Sequence, residues 1–327
     1  MNFDEVLVAE NIHAGYVTRD KFVDAVSNVS LTIYRGEILG IAGESGCGKS
    51  TLLKVLYGYI TPPLRMLSGK ILLKKENEVI EVHKLGMDEL RRRIWWRYIT
   101  WIPQGSMNVL NPTMRIRDHF IEMIKLYTDL RDEKEINKII LEHLSIFGLP
   151  KEVAKAYPIQ LSGGMRQRVV IALALLFNPL IVLADEPTSA LDVVTQRIIL
   201  EHLFKLQRKQ GFSLVLVSHD LNIHGVLTVR NVIMYAGKIV EIGMTGKVLE
   251  EPLHPYTKAL LEALPRLGDK NVKKGLHGTP PDLSNPPPGC RFHPRCPFAM
   301  DVCRKVEPPL CKIAENRFIA CWLYTSR

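Results

Sequence analysis

Eight residues, Gly43-Glu44-Ser45-Gly46-Cys47-Gly48-Lys49-Ser50, constrain this chain more than any other stretch. They spell G-x-x-x-x-G-K-[ST], after an apolar run from Glu37 to Ala42 and before a helical run from Lys49 to Leu56. Glycines without a Cβ let successive backbone N–H groups close around phosphate oxygens, and the helix start adds positive potential. Lys49 supplies a point charge for β- and γ-phosphates, and Ser50 a hydroxyl for Mg²⁺. The candidate contacts run from Gly43 through Thr51. Cys47 reads as a small residue in the loop whose thiol offers a point for alkylation. A strand, loop and helix of this kind commit the surrounding chain to an α/β core.

The neighbouring pattern agrees. Short apolar runs at Tyr98 to Ile102, Leu180 to Ala184 and Ser213 to Val217 read as strands buried on both faces, as in a parallel sheet. Val29 to Ile33, Lys70 to Leu73 and Val79 to Val82 read as half-exposed antiparallel strands, and Val232 to Ile242 as a hairpin turning at Ala236-Gly237-Lys238. Apolar residues at helical spacing (Ile136, Ile139, Ile140, Leu144) mark a helical subdomain over about 113–178. A last helix, Tyr256 to Ala263, stops at Pro265, and 266–289 reads as a Gly/Pro-rich linker.

Ile181-Val182-Leu183-Ala184-Asp185-Glu186 is an apolar strand ending in two carboxylates. Beside a phosphate loop, Asp185 would hold Mg²⁺ and Glu186 would orient or deprotonate the attacking water. Further on, Leu161-Ser162-Gly163-Gly164-Met165-Arg166-Gln167-Arg168 precedes a helical run, and Ser189-Ala190-Leu191-Asp192 follows the carboxylates. His219 follows the strand ending Val217-Ser218, and Gln104 follows Trp101-Ile102-Pro103.

In order and spacing these segments resemble the signature motif, D-loop, switch histidine and Q-loop of the ABC ATPases, over roughly residues 5 to 250. The resemblance implies a P-loop NTPase fold with a RecA-like core, an antiparallel β-subdomain and a helical subdomain, binding ATP and Mg²⁺. Ser50, Gln104 and Asp185 would serve the metal, and Glu186, His219 and Gln104 the hydrolysis. Ser162, Gly163, Gly164 and Met165, with Asp192, would close on the ATP of a partner chain, so that two domains sandwich two nucleotides head to tail. Met165 stands where many members have Gln, beyond the glycines that make the cradle. The adenine would stack on Tyr16, with Phe22 the alternative.

The chain has 43 Lys and Arg against 34 Asp and Glu, a net charge of +9. Arg91-Arg92-Arg93-Ile94-Trp95-Trp96-Arg97 is the best candidate for nucleic-acid contact, but a basic helical face with half-buried tryptophans explains it more simply. Lys49 and Ser162 are separated by no heptad run or zinc module of the kind seen in DNA-repair members, and the chain has one cassette, unlike translation-type members. No uncharged apolar run reaches the ~18 residues of a bilayer span, and the acidic start lacks a secretion signal. A transporter subunit of this kind would dock on separate membrane proteins at the cytoplasmic face. The expected partners are a second ATPase subunit (a heterodimer, or a homodimer), two transmembrane permease subunits and an extracytoplasmic solute-binding protein, with no direct nucleic acid.

Five of the six cysteines and ten of the twenty prolines fall after residue 264, so a second region, 251–327, follows an ATPase domain over 1–250. Cys290, Cys296, Cys303 and Cys321 are separated by five, six and seventeen residues, without the short knuckles usual for zinc. Spacing alone leaves zinc and an iron–sulfur cluster open. His254-Pro255-Tyr256-Thr257, Gly289-Cys290-Arg291-Phe292-His293-Pro294-Arg295-Cys296-Pro297 and Asn108-Val109-Leu110-Asn111-Pro112 are similar to segments of the oligopeptide and dipeptide importer ATPases. That resemblance implies a small irregular cysteine-rich extension carrying a [4Fe-4S] cluster on those four thiols, with Cys311 spare and zinc as the alternative. It implies peptide import, with oligosaccharide import as the rival and a soluble ABC ATPase acting on nucleic acid as the rival from another class.

Overall fold

The computed structural model describes residues 4–75, 78–105, 109–189, 191–263 and 276–325. The chain builds two compact units, one from residues 1–85 and 215–327, the other from 86–214.

The first unit opens with two long antiparallel strands, β1 (Glu5–Val17) and β2 (Phe22–Tyr34). β1 shifts register near Asn11, which takes a positive φ of 49°. Such a bulge breaks the two-residue alternation that would mark a strand in sequence. β3 (Ile38–Ala42) is buried along its whole length and delivers the chain to the helix Lys49–Leu56. β4 (Leu64–Lys75) and β5 (Glu78–Glu81) complete an antiparallel sheet in the order β2-β1-β4-β5.

The second unit pairs β6 (Ile99–Ile102) with β7 (Ile181–Asp185) in parallel. β7 is buried throughout, as its unbroken apolar run requires. Helices Ile116–Tyr127, Glu133–Ile146 and Gly163–Ala174 fill the region expected to be helical. In the second of these Ile136, Ile140 and Leu144 are buried while Asp132 caps the start by accepting from the Lys134 N–H. Helix Val193–Gln210 follows, capped at its start by Asp192 and ended by Gly211 at φ 75°.

β8 (Ser213–Val217) carries the chain back to the first unit and lies beside β3. β9 (Arg230–Tyr235) runs parallel to β3, and β10 (Lys238–Met244) returns antiparallel to β9 through the anticipated turn at Ala236-Gly237. Gly40 on β3 has to be glycine: a Cβ there would lie 2.1 Å from Asn231 Oδ1 and 2.4 Å from His224 Nδ1.

The region after 251, expected to be irregular, is more ordered than that. It contributes helices Pro255–Glu262 and Asp301–Lys305 and a hairpin, β11 (Cys311–Ala314) and β12 (Arg317–Ile319). β12 pairs with β10, so the hairpin extends the sheet through β10, β12 and β11. The driving force is burial. Phe292 packs among Tyr235 and Tyr256, with ring centroids 5.1 and 5.5 Å away, in one apolar cluster with Ala42, Ile233 and Val248. Residues 264–275, which include Pro265 and the start of the expected linker, lie outside the described residues.

Candidate functional site

In the first unit the loop after β3 has the backbone its glycines allow. Gly43, Gly46 and Gly48 take φ of 152°, 76° and 104°. A Cβ on Gly48 would meet the Ala25 carbonyl at 2.0 Å, and one on Gly43 the Met234 carbonyl at 2.1 Å. Lys49 is buried, and its ammonium donates to the Gly43 and Glu44 carbonyls at 2.7 and 2.9 Å. The loop thus holds its own cation at its mouth, ready to be shared with an anion. The Cys47 thiol, 3.7 Å from Lys49 Nζ, is buried, and burial pushes it up despite the nearby ammonium. A raised, enclosed thiol is a poor nucleophile, so the alkylation point suggested by sequence is closed.

The Tyr16 hydroxyl lies 3.1 Å from the buried Thr51 hydroxyl, in the first turn of the helix that follows the loop. Lys54 Nζ sits 6.0 Å from the Tyr16 ring centroid. Phe22 instead turns edge-on to His13, with centroids 6.0 Å apart. His219 is exposed just past the end of β8.

In the second unit Asp185 is buried at the tip of β7, and Glu186 follows it with a positive φ of 46°. A non-glycine residue in that region is strained, a feature that clusters at functional sites. Gln104, beyond the end of β6, donates from Nε2 to Glu186 Oε2 at 3.2 Å. The glutamine and the candidate base, 82 positions apart, are thus brought together. Ser162 caps helix Gly163–Ala174 by accepting the Met165 N–H at 3.3 Å. Asp192 caps the next helix, and its bonds to Thr195 hold its carboxyl below the usual range. Ala190 and Asn108 lie outside the described residues. The tryptophans of the arginine cluster offer no free stacking platform: Trp95 is buried, and Trp96 packs 6.5 Å from the Tyr127 ring.

The tail holds a second constellation. Cys290, Cys296, Cys303 and Cys321 line one small cavity together with Phe292 and Trp322, and Cys311 is not among its lining residues. None of the six cysteines, all among the described residues, forms a disulfide. Burial pushes the Cys290 thiol up to about 12 and the Cys321 thiol up to about 11, and the neighbouring thiols push the same way. Among the described residues no group of three or more His, Cys, Asp or Glu side chains is arranged to hold a metal ion.

Sequence reasoning missed what ties this tail to the phosphate loop. Arg295 forms a two-pronged ion pair with Glu44, Nη1 to Oε2 at 2.7 Å and Nη2 to Oε1 at 3.0 Å. The Tyr256 hydroxyl accepts the Glu44 N–H at 2.8 Å. An acid inside the loop and an arginine between two cysteines were the available signals, but nothing local pairs residues 251 positions apart.

Comparison with known proteins agrees with this geometry. The family model described as "ABC transporter" matches residues 26–189, and that described as "Oligopeptide/dipeptide transporter, C-terminal region" matches 240–303. The chain is 37% identical to the dipeptide transport ATP-binding protein DppD of Caldanaerobacter subterraneus subsp. tengcongensis, over 98% of this chain and 97% of the relative. It is 40% identical to DppD of Bacillus subtilis, over 99% of this chain and 96% of the relative. Among solved structures, the ATP-binding cassette MJ0796, in a dimeric post-hydrolysis state bound to ADP and Pi, superposes with a TM-score of 0.64 at 32% identity, covering 73% of this chain and 98% of that one. The phosphate loop, the paired Gln104 and Glu186, the capped signature helix and these matches make the chain a member of the ABC transporter ATP-binding family.

Proposed function

We propose that this chain is the ATP-hydrolysing subunit of a membrane importer of di- and oligopeptides, acting at the cytoplasmic face. The observation that carries the reading is the pairing of an ABC domain with the oligopeptide/dipeptide C-terminal region in one chain, similar along nearly its whole length to dipeptide transport ATP-binding proteins. Among the described residues no helix is long and apolar enough to cross a membrane, so two permease subunits would supply the path. A second ATPase subunit, in a heterodimer or a homodimer, and a solute-binding protein complete the assembly.

Within that assembly the loop Gly43 to Thr51 cradles the ATP phosphates, and Tyr16 stacks on the adenine. Lys49 exchanges its two carbonyl partners for phosphate oxygens, a gain in charge that favours binding. Ser50, Gln104 and Asp185 offer the hard oxygen donors that suit Mg²⁺. When bound, the metal neutralises charge developing on the transferred phosphoryl group. Glu186 takes the proton of the attacking water, and the hydrogen bond from Gln104 aims its carboxylate. His219 contacts the γ-phosphate. Ser162, Gly163, Gly164 and Met165 present a helix N-terminus to the partner's nucleotide, with Asp192 holding the adjoining turn.

We read the cysteine cavity as the seat of an iron–sulfur cluster. Four thiols line one cavity, and their long, irregular spacing lacks the short knuckles usual for zinc, which supports this reading. Cys290, Cys296, Cys303 and Cys321 would hold a [4Fe-4S] group, whose chemistry here is to cross-link a tail too short to build a core of its own. Zinc without iron or labile sulfide in anaerobically purified chain would contradict this.

Two measurements test the function. Glu186→Gln should leave ATP binding intact and lower turnover by at least about a hundredfold; undiminished turnover would remove Glu186 from its role. In the whole complex purified from membranes, ATPase activity should rise with peptide-loaded binding protein. A response to sugar-loaded protein alone would move the assignment to oligosaccharide import.

A further inference from the structure

The tail does more than pack beside the core. Between Cys290 and Cys296 it presents two arginines, one bound to a side chain of the phosphate loop and the other to the turn that hydrogen-bonds to it. Arg295, with its side chain 5% exposed, grips the Glu44 carboxylate with both terminal nitrogens. It is itself held by its Nε bond to the His277 carbonyl at 2.8 Å and by Nη1 against the Tyr235 hydroxyl at 3.3 Å. Arg291 pairs with the Asp24 carboxylate and donates to the Ala236 carbonyl at 2.6 Å. The next residue of that turn, Gly237, gives its N–H to the Cys47 carbonyl at 2.9 Å.

Glu44 is therefore fixed through all three of its polar groups. Its N–H goes to the Tyr256 hydroxyl, its carbonyl takes Lys49 Nζ, and its carboxylate takes Arg295. Glu44 lies near the start of the loop and Cys47 just before the helix, so the tail braces the first directly and the second through the Ala236-Gly237 turn. A phosphate cradle works by having its amides aimed before the anion arrives, and a brace removes part of the ordering cost of binding.

We propose that Arg295 is a positioning residue of the nucleotide site, acting through Glu44, and that the segment from Cys290 to Cys296 is a brace for the phosphate loop. Nucleotide affinity then depends on a tail that touches no nucleotide. This rests on reading residues 43–51 as the nucleotide loop.

The test is calorimetric binding of MgADP to the full-length chain, with melting of the nucleotide-free chain measured in parallel. Arg295→Met and Glu44→Gln should each weaken MgADP binding by about tenfold, the scale of a lost charge-assisted bidentate contact. The double variant should bind no more weakly than either single, because both remove one interaction. Arg295→Lys keeps the charge but not the fork and should fall between Arg295→Met and the unaltered chain. At saturating ATP the whole complex carrying Arg295→Met should keep its kcat within about twofold while KM rises, a split that general loss of stability would not produce. Binding by Arg295→Met equal to that of the unaltered chain, or additive losses in the double variant, would overturn the brace. Should Arg295→Met fail to fold, Arg295→Lys decides: affinity equal to the unaltered chain overturns the proposal. An unaltered chain that does not bind MgADP would overturn the nucleotide site itself, a result distinct from failure of the brace alone.

Discussion

Arg317→Met would strip a fully buried carboxylate of its cation. Glu241 on β10 is 0% exposed, and Arg317 on β12 is 7% exposed. The carboxylate accepts from Arg317 Nη2 at 2.5 Å and from the Leu253 and His254 N–H groups at 3.0 and 3.1 Å. Breaking one side of a buried ion pair costs about 3–5 kcal/mol, because the remaining charge is left in a poor solvent. The two backbone donors stay with Glu241, which places the loss near the lower end. The same nitrogen also donates to the Glu251 carbonyl at 2.7 Å, and that lost bond adds about 1 kcal/mol. A total of about 4 kcal/mol follows, with no discount for solvent screening at this depth. The loss is local to the joint between tail and sheet, so hydrogen exchange by mass spectrometry is the suitable assay. Amides across the joint, such as Ala320 N–H bonded to the Val240 carbonyl, should lose protection by at least about a hundredfold. The double variant Glu241→Gln, Arg317→Met should recover most of it, since a neutral amide can keep the two backbone bonds without an unpaired charge. A loss below about 1 kcal/mol in the single variant, or a double variant worse than the single, would refute the reasoning.

Gly48→Ala places a methyl 2.0 Å from the Ala25 carbonyl at a φ of 104°, so the loop has to move. MgADP affinity in calorimetry should fall by at least about a hundredfold while far-UV circular dichroism stays native, the strain being local. Acid should destabilise the fold through two buried histidines: burial holds His224 at about 4 and His254 at about 3, below the ordinary 6.5. Above pH 6.5 both are neutral folded or unfolded, so they add no pH dependence. As pH falls from 6.5 towards those values, the unfolded chain binds protons that the native chain refuses. Stability in urea titrations should then drop by about 1.4 kcal/mol per pH unit for each histidine. His254→Asn, which can still cap the helix at Tyr256, should remove about half of that slope.

Elements whose stability is local were legible in the sequence. β3, β7 and β8 are unbroken apolar runs, and only a strand buried on both faces explains so short a run beside a phosphate loop. The loop itself was legible because its chemistry demands glycine at fixed places. β1 was not, since its register shifts near Asn11 put Asn11 and His13 where the alternation set by Leu7 and Ala9 would need apolar residues. Glu186 was legible from its place at a strand tip beside a phosphate loop and Gln104 only through resemblance, and nothing in the sequence paired the two. The grip of Arg295 on Glu44 and the seat of Arg317 on Glu241 were invisible, because they depend on where a distant tail folds back. Polar pairs of that kind have no periodicity to betray them.

The small hairpin β11–β12 also covers an edge of the sheet. Without it β10 would be a seven-residue margin carrying Ile239, Val240 and Ile242, with its backbone donors and acceptors open to any passing strand. β12 occupies that margin, and the new border is β11, four residues long with Lys312 in it. A short charged border resists further strand addition. The same tail thus covers this edge of the sheet, and losing it would leave β10 open to strand addition.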